Sequence, residues 1–283
     1  MIEFISGLLG SVIRVIYNLA GNNYLVGLLG FTLLTKIVLF PLVLKQLQST
    51  SAIQKVSPED KKLREKYKDN PQKLSEEITK LYKENKVNPL AGCLIPLIQI
   101  PIMLAMFWVV KQPLTYVEKM DKETITTYTQ RYLEKEEVTD NEIKSYEINI
   151  AKEYDLINMN VISNVSLGDS PKDVFSKDET KRVSKLTLIV PVLTLIFSII
   201  SNKVTQKNSQ MSEEQAEMQK SMNLMMPFLS AYISFAWPLA LGVYWLFGSI
   251  LGIVQQLAIN KLMNNDKDID KKDSTLFLGK GEK

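Results

Sequence analysis

A lysine sits in the middle of the first long apolar run of this chain. Residues 24–44 read as a membrane-spanning helix, apolar apart from Thr32, Thr35 and Lys36, with Pro41 near the far end. About 20 such residues cross the ~30 Å hydrocarbon core of a bilayer. Lys36 lies ~18 Å into the run at 1.5 Å per residue, too deep to snorkel easily to either face. Insertion scales put the cost of such a charge at about 2.5–3.5 kcal/mol, so it must face protein or a wet cavity, and it marks a functional position by default.

The chain averages hide this, because apolar and charged residues are segregated into blocks. A hydrophobic share of 46% and a net charge of +3 describe an ordinary soluble protein. Further apolar runs fall near 90–110, with Pro96, Gln99 and Pro101, and near 183–202, with Pro191. The last run, 222–261, would be ~60 Å long as one helix, twice the bilayer core. Trp237-Pro238 lies near its middle, and proline disfavours helix at the residue before it, so two spans are expected there. The N-terminal stretch is apolar but carries Glu3 and Arg14, and reads as an uncleaved amphipathic helix at the interface.

The expected fold is therefore all-α: a polytopic membrane protein of five transmembrane helices, an N-terminal interfacial helix and a cytoplasmic helical hairpin. Between the first two spans lie 11 Lys and Arg residues, which assigns that segment to the cytoplasm. The order is an extracytoplasmic interfacial helix (1–22), first span (23–45), cytoplasmic hairpin (46–88), second span (89–112), extracytoplasmic acidic insertion (113–181), third span (182–203), cytoplasmic loop (204–221), fourth span (222–237), fifth span (238–261) and a disordered cytoplasmic tail (262–283). The N-terminus is then outside and the C-terminus cytoplasmic. Residues 114–181 hold 15 acidic against 9 basic residues, so they make no positive-inside loop. Within the hairpin, Ser57-Pro58-Glu59-Asp60 has the form of a helix start, and Asp69-Asn70-Pro71 of a break followed by a second helix. A weak helical pattern runs through 140–155.

Several chemistries are excluded. The sequence has no histidine and one cysteine, Cys93, so His-based metal sites, His triads and intramolecular disulfides are out. No phosphate-binding loop or nucleophile elbow stands out. No metal, cofactor or enzymatic activity is expected. The polar companions available to Lys36 are Thr32 and Thr35 on its own span, Gln99 on the second, and Ser198, Ser201 and Asn202 on the third. No acidic residue lies inside any expected span, so water or a visiting carboxylate must serve as counter-ion. By pattern alone, a small-solute transporter or channel with Lys36 as its intramembrane site is the alternative reading.

Three blocks carry a resemblance to a known family: TLLTKIVLFPLVLKQLQS (32–49), KYKDNPQKLSEEITKLYKENKVNPLAGCLIPLIQIPI (66–102) and MMPFLSAYISFAWPLALGVYWLFGSILGIVQQ (225–256). The chain resembles the YidC/Oxa insertases in its short, Gram-positive-like form. The resemblance covers the core from Ile2 to about Lys261, apart from 114–181. It implies a bacterial cell membrane protein, an insertase and chaperone. Such a protein moves short hydrophilic segments of nascent membrane proteins through a lipid-open polar groove and releases their apolar helices into the bilayer. Implied partners are nascent membrane proteins, the ribosome, the Sec translocon and lipid, with no specific nucleic acid. It adds Trp245 to the groove and implies an apolar slide on the second and fourth spans, for which Ile98, Ile102, Met106, Met225 and Phe228 are the candidates. Two positions depart from the family pattern: the groove cation is lysine where arginine is usual, five residues before Pro41, and Ser201 and Asn202 stand where relatives carry glutamines. Lysine keeps the charge but lacks the planar fork that grips a carboxylate at two points. The N-terminal cysteine that anchors many Gram-positive relatives to lipid is not found near this N-terminus, so no lipid anchor is expected.

A wet surround for position 36 has a direct test. A thiol at Lys36→Cys, in a Cys93→Ser background, is expected to react with a water-soluble maleimide in intact membranes, whereas Leu33→Cys is expected to resist. Equal resistance at both positions would show a dry site.

Overall fold

The computed structural model describes residues 1–87, 94–162, 164–206 and 213–278. Of the sequence features above, residues 88–93 of the most specific family block, 207–212 of the fourth-span approach and the terminal 279–283 lie outside them.

Helix α1 (Ile2–Leu19) buries Ser6, Gly10, Ile13 and Tyr17, a stripe at helical spacing. Gly21 and Asn22 then take positive φ (68° and 59°) and turn the chain back on itself. Asn23 caps α2 (Tyr24–Lys66), its Oδ1 accepting from the Val26 amide at 3.2 Å. The reversal lays Ile16 and Tyr17 against Gly30 and Gly27. On its other side α1 meets α4 (Leu94–Lys111), where the Ser6 hydroxyl donates to the Ala105 carbonyl at 3.2 Å. α1 is itself long and apolar enough to cross a membrane.

One expectation fails here. The helix start read at Ser57-Pro58 does not occur: α2 runs unbroken through Pro41 and Pro58 for 43 residues. Asp60, read as a first-turn acid, is buried and instead pairs with Arg64 one turn on at 2.9 Å. The buried face of Val56 and Asp60 lies where α2 packs on α3 (Pro71–Glu84), and Leu63 and Leu81 line the cleft between the two helices. That burial outweighs the hydrogen bond lost at proline. The break at Asn70-Pro71 is as read: Pro71 opens α3, and the Asn70 side chain accepts from the Lys73 amide at 3.1 Å.

The acidic insertion folds as a unit. A π-helical turn (Leu114–Glu118) leaves α4, followed by α5 (Lys122–Leu133), α6 (Asp140–Glu153) and a short antiparallel pair, β1 (Asn160–Ile162) and β2 (Val165–Ser166). Helix α6 matches the weak pattern at 140–155 and opens on a reciprocal cap between Thr139 and Glu142. Ile125, Ile143, Ile148, Ile150, Ile157, Met159 and Leu167 fill the core of the unit and join that of the bundle.

Three helices complete the bundle: α7 (Ile189–Gln206), α8 (Glu213–Ala236) and α9 (Leu239–Leu278). Trp237-Pro238 separates the last two, as its proline dictates. The three helices meet at small residues: the Thr194 and Ser234 hydroxyls stand 3.4 Å apart, and a Cβ on Gly242 would collide with Ser234 Oγ. Close backbone approach of this kind replaces the hydrophobic drive that lipid cannot supply. Helix α9 continues past Asn265 to Leu278, where a disordered tail was expected. Neither glycine nor proline interrupts the sequence between Gly252 and Gly279, so nothing local stops the helix.

The outer face is apolar. Leu33, Leu34, Ile37 and Val38 on α2, Val192 and Ile196 on α7, and Leu224 and Leu229 on α8 are all exposed, a surface suited to lipid. Among the described residues, four stretches are long and apolar enough to cross a membrane by length and composition: Ile2–Leu19, Tyr24–Ile53, Lys185–Thr205 and Leu239–Leu262. Ile100–Lys111 and Leu224–Ala236 are shorter apolar helices.

Glu147 of α6 is fully buried. Its two oxygens accept from the Thr115 amide (2.6 Å) and hydroxyl (2.8 Å), which fastens α6 to the π-helical turn that leaves α4. Burial raises its carboxyl to about 7, against the opposing pull of the Thr115 bonds. A pKa above the unfolded value means the folded state holds the proton longer. Its contribution is therefore greatest below about pH 4.5 and falls away as pH rises through 7, by up to about 1.4 kcal/mol per unit. Thermal unfolding of the whole chain in detergent should show a midpoint that drops between pH 5 and pH 8, and Glu147→Gln should flatten that drop.

Candidate functional site

Thr32 and Lys36 lie one turn apart on α2 and face α9. The Thr32 methyl is 4.0 Å from where a Cβ on Gly248 would stand, and the Lys36 ammonium is 3.7 Å from the same point on Gly252. Ser201 Oγ of α7 is also 3.7 Å from that point. Gly252 thus opens the space in which α2, α7 and α9 bring an ammonium and a hydroxyl together. One turn away, the Ser198 and Ser249 hydroxyls are 3.4 Å apart, and Ser249 donates to the Trp245 carbonyl at 3.0 Å. Asn202 and Trp245 are half-buried on the same two helices.

The threonine hydroxyls near Lys36 are spent on their own helix. Thr32 donates to Leu28 O at 2.7 Å and Thr35 to Phe31 O at 2.9 Å. They keep lone pairs but offer no free proton. Lys36 is half-buried, and among the described residues it makes no ion pair. The ammonium is the strong donor of the cluster, in a setting where an acidic group or water is its natural complement.

The expected groove residues Thr32, Lys36, Ser198 and Ser201 are therefore brought together, with Trp245 joined to them through Ser249. The side chains of Gln99 and Ile98 lie outside the described residues, although both positions fall on α4. Met225 and Phe228 are more than half exposed on α8, and Ile102 is half-buried against the core. Met106 is a correction. It is completely buried, next to the Ala105 carbonyl that binds Ser6 of α1; that face of α4 is core, and Met106 cannot form part of an exposed slide.

Four α9 residues were not singled out from the sequence. Gly248, Ser249 and Gly252 make a small-residue stripe, which at spacing i, i+1, i+4 after Trp245 marks a helix face of close approach. Gln255 follows Gly252 by three residues, and its buried amide nitrogen has no hydrogen-bond partner among the described residues. A buried amide left unpaired costs about 1–3 kcal/mol, so this position also calls for water or a passing polar group.

Comparison with known proteins adds the family. Residues 15–267 match the model of the 60Kd inner membrane protein family. A membrane protein insertase YidC of Clostridium perfringens is 47% identical over 89 residues, 31% of this chain and 37% of the relative. A membrane protein insertase YidC 2 of Listeria innocua is 47% identical over 94 residues, 32% and 33% of the two chains. A membrane protein insertase YidC of Francisella tularensis subsp. novicida is 42% identical over 109 residues, 38% and 20%. The chain thus matches between a fifth and under two fifths of the length of these curated relatives.

The gap at Gly252 has a steric prediction. Gly252→Ala places its Cβ at ordinary contact distance and should be silent. Gly252→Leu should fill the space beside Lys36, lowering maleimide labelling at Lys36→Cys several-fold in the same membranes.

Proposed function

The chain belongs to the 60Kd inner membrane protein family, the YidC/Oxa family, and on that premise we propose that it is a membrane protein insertase and chaperone that acts without covalent chemistry. It is a multi-pass bacterial membrane protein. The observation that carries the reading is the Lys36 ammonium, held among α2, α7 and α9 without a carboxylate partner among the described residues.

In this mechanism the apolar part of a nascent protein partitions into lipid, and that transfer supplies the driving force. The obstacle is the short hydrophilic segment that must pass the hydrocarbon. The cluster of Thr32, Thr35, Ser198, Ser201, Asn202 and Trp245, joined by Gln99, offers it a polar path, and Lys36 attracts its acidic residues. Ile98, Ile102, Met225 and Phe228 would receive its apolar helix. The N-terminus lies outside and the hairpin in the cytoplasm, following the excess of Lys and Arg in 46–88. There the α2–α3 hairpin meets the nascent chain, the ribosome and the Sec translocon. This division supports insertion over small-solute transport, since an acidic segment supplies the counter-ion that Lys36 lacks.

The test is purified protein in liposomes, given a single-span substrate with a short acidic tail. Insertion should depend on the protein. Lys36→Ala should slow it about tenfold or more, as a hydrogen bond to a charged group contributes about 1.5–3 kcal/mol, and Lys36→Arg should preserve it. Equal insertion with and without protein would reject the reading; undiminished insertion by Lys36→Ala across several substrates would reject the role of the charge.

A further inference from the structure

Helices α2 and α9 both begin against the acidic insertion. The first amides of a helix have no partner within it, and here main-chain carbonyls of the insertion accept them. Tyr24 N donates to Asn158 O at 3.1 Å, Leu239 N to Asp169 O at 2.7 Å and Ala240 N to Leu167 O at 2.9 Å. The capping segments are tied to each other by Leu167 N donating to Met159 O at 2.8 Å. The two helices therefore hang from one small folded unit, with their starts at a fixed offset.

That offset decides where Lys36 lies. Lys36 is twelve residues below Tyr24, and Gly252 thirteen below Leu239; at 1.5 Å per residue both are ~18–20 Å from their caps. Thr32 and Gly248, each four residues nearer the caps, face each other in the same way. A slip of one residue would move α9 by ~1.5 Å along its axis and, in register terms, rotate its contact face by ~100°, turning the Gly248–Gly252 stripe away from Thr32 and Lys36. We propose that the insertion sets the axial register of α9 against α2, and that Asp169 is the positioning residue through which it holds Lys36 beside Gly252.

Asp169 is the side chain that shapes the capping turn. It is buried; its Oδ2 accepts from the Ser166 amide at 2.8 Å and its Oδ1 from Lys152 Nζ at 2.6 Å. Those bonds close the 166–169 turn and tie it to α6, so that the carbonyls of Leu167 and Asp169 point at α9. The unit is anchored elsewhere too, by Glu147 on Thr115 of the π-helical turn that leaves α4 and by Phe175 of the insertion and Phe235 of α8, whose ring centroids are 6.3 Å apart. It also holds α1, where Lys119 Nζ donates to the Gly7 carbonyl at 3.3 Å, but among the described residues its main-chain carbonyls cap the two helices that carry Lys36 and Gly252.

Paired cysteines in a Cys93→Ser background read the register directly, in the full chain in lipid nanodiscs. Thr32→Cys with Gly248→Cys reports α2 against α9. Thr194→Cys with Ser234→Cys reports α7 against α8, leaves α9 out, and should not depend on the caps. Asp169→Ala is expected to slow oxidative crosslinking of the first pair at least fivefold and to leave the second unchanged. Asp169→Asn keeps an acceptor for Ser166 but loses the ion pair, and should give an intermediate loss. An unchanged 32–248 crosslink in both variants would overturn the proposal. So would equal loss at both pairs, which would show that Asp169 supports the whole fold and not the register. The crosslinks report helix register whether or not the protein inserts anything, so they stand apart from the insertase test.

Discussion

A hydrocarbon slab offers no water to an ammonium or to the open end of a helix. Each must find its complement within the protein. For Lys36 the answer is a gap at Gly252 with Ser201 across it; for the starts of α2 and α9 it is a row of carbonyls on the acidic insertion. The two solutions are linked by geometry, since equal distances down two capped helices bring the lysine and the glycine to one level. Small residues at Gly242, Ser234 and Thr194 then let α7, α8 and α9 approach closely enough to keep that level fixed.

Much of this was legible in the sequence because the signals were local. A lysine inside an apolar run, Trp237-Pro238 between two spans and Asn70-Pro71 before α3 each act within a few residues of themselves. The parts that were not legible depend on partners far along the chain. Pro58 looked like a helix start because the burial of Val56 and Asp60 where α3 packs cannot be seen from residues 57–60. Met106 looked like part of an exposed surface because nothing near it in sequence announces that α1 covers that side of α4. Gly252 drew no attention as a single glycine in a long helix. Its meaning appears only when Lys36, two hundred residues earlier, is placed beside it.

The insertion is a further case. Its excess of acids marked it only as an extracytoplasmic insertion, with a weak helical pattern at 140–155. Yet it holds a buried core of isoleucines and a buried carboxylate, Glu147, whose proton is held by burial to about pH 7. Helix α6 was visible in its pattern and cap. The capping of α2 and α9 by its main chain was not, because carbonyls carry no sequence signature.

The threonines beside Lys36 have a consequence for time scale. Hydroxyls that donate back to Leu28 and Phe31 can accept a passing proton donor but cannot clasp an acceptor in return. A polar lining of this sort wets a path without storing what travels along it. Under the proposed function, the lysine ammonium on its flexible stem is the strongest contact such a path offers, so the breaking of that contact would dominate the dwell time at the centre.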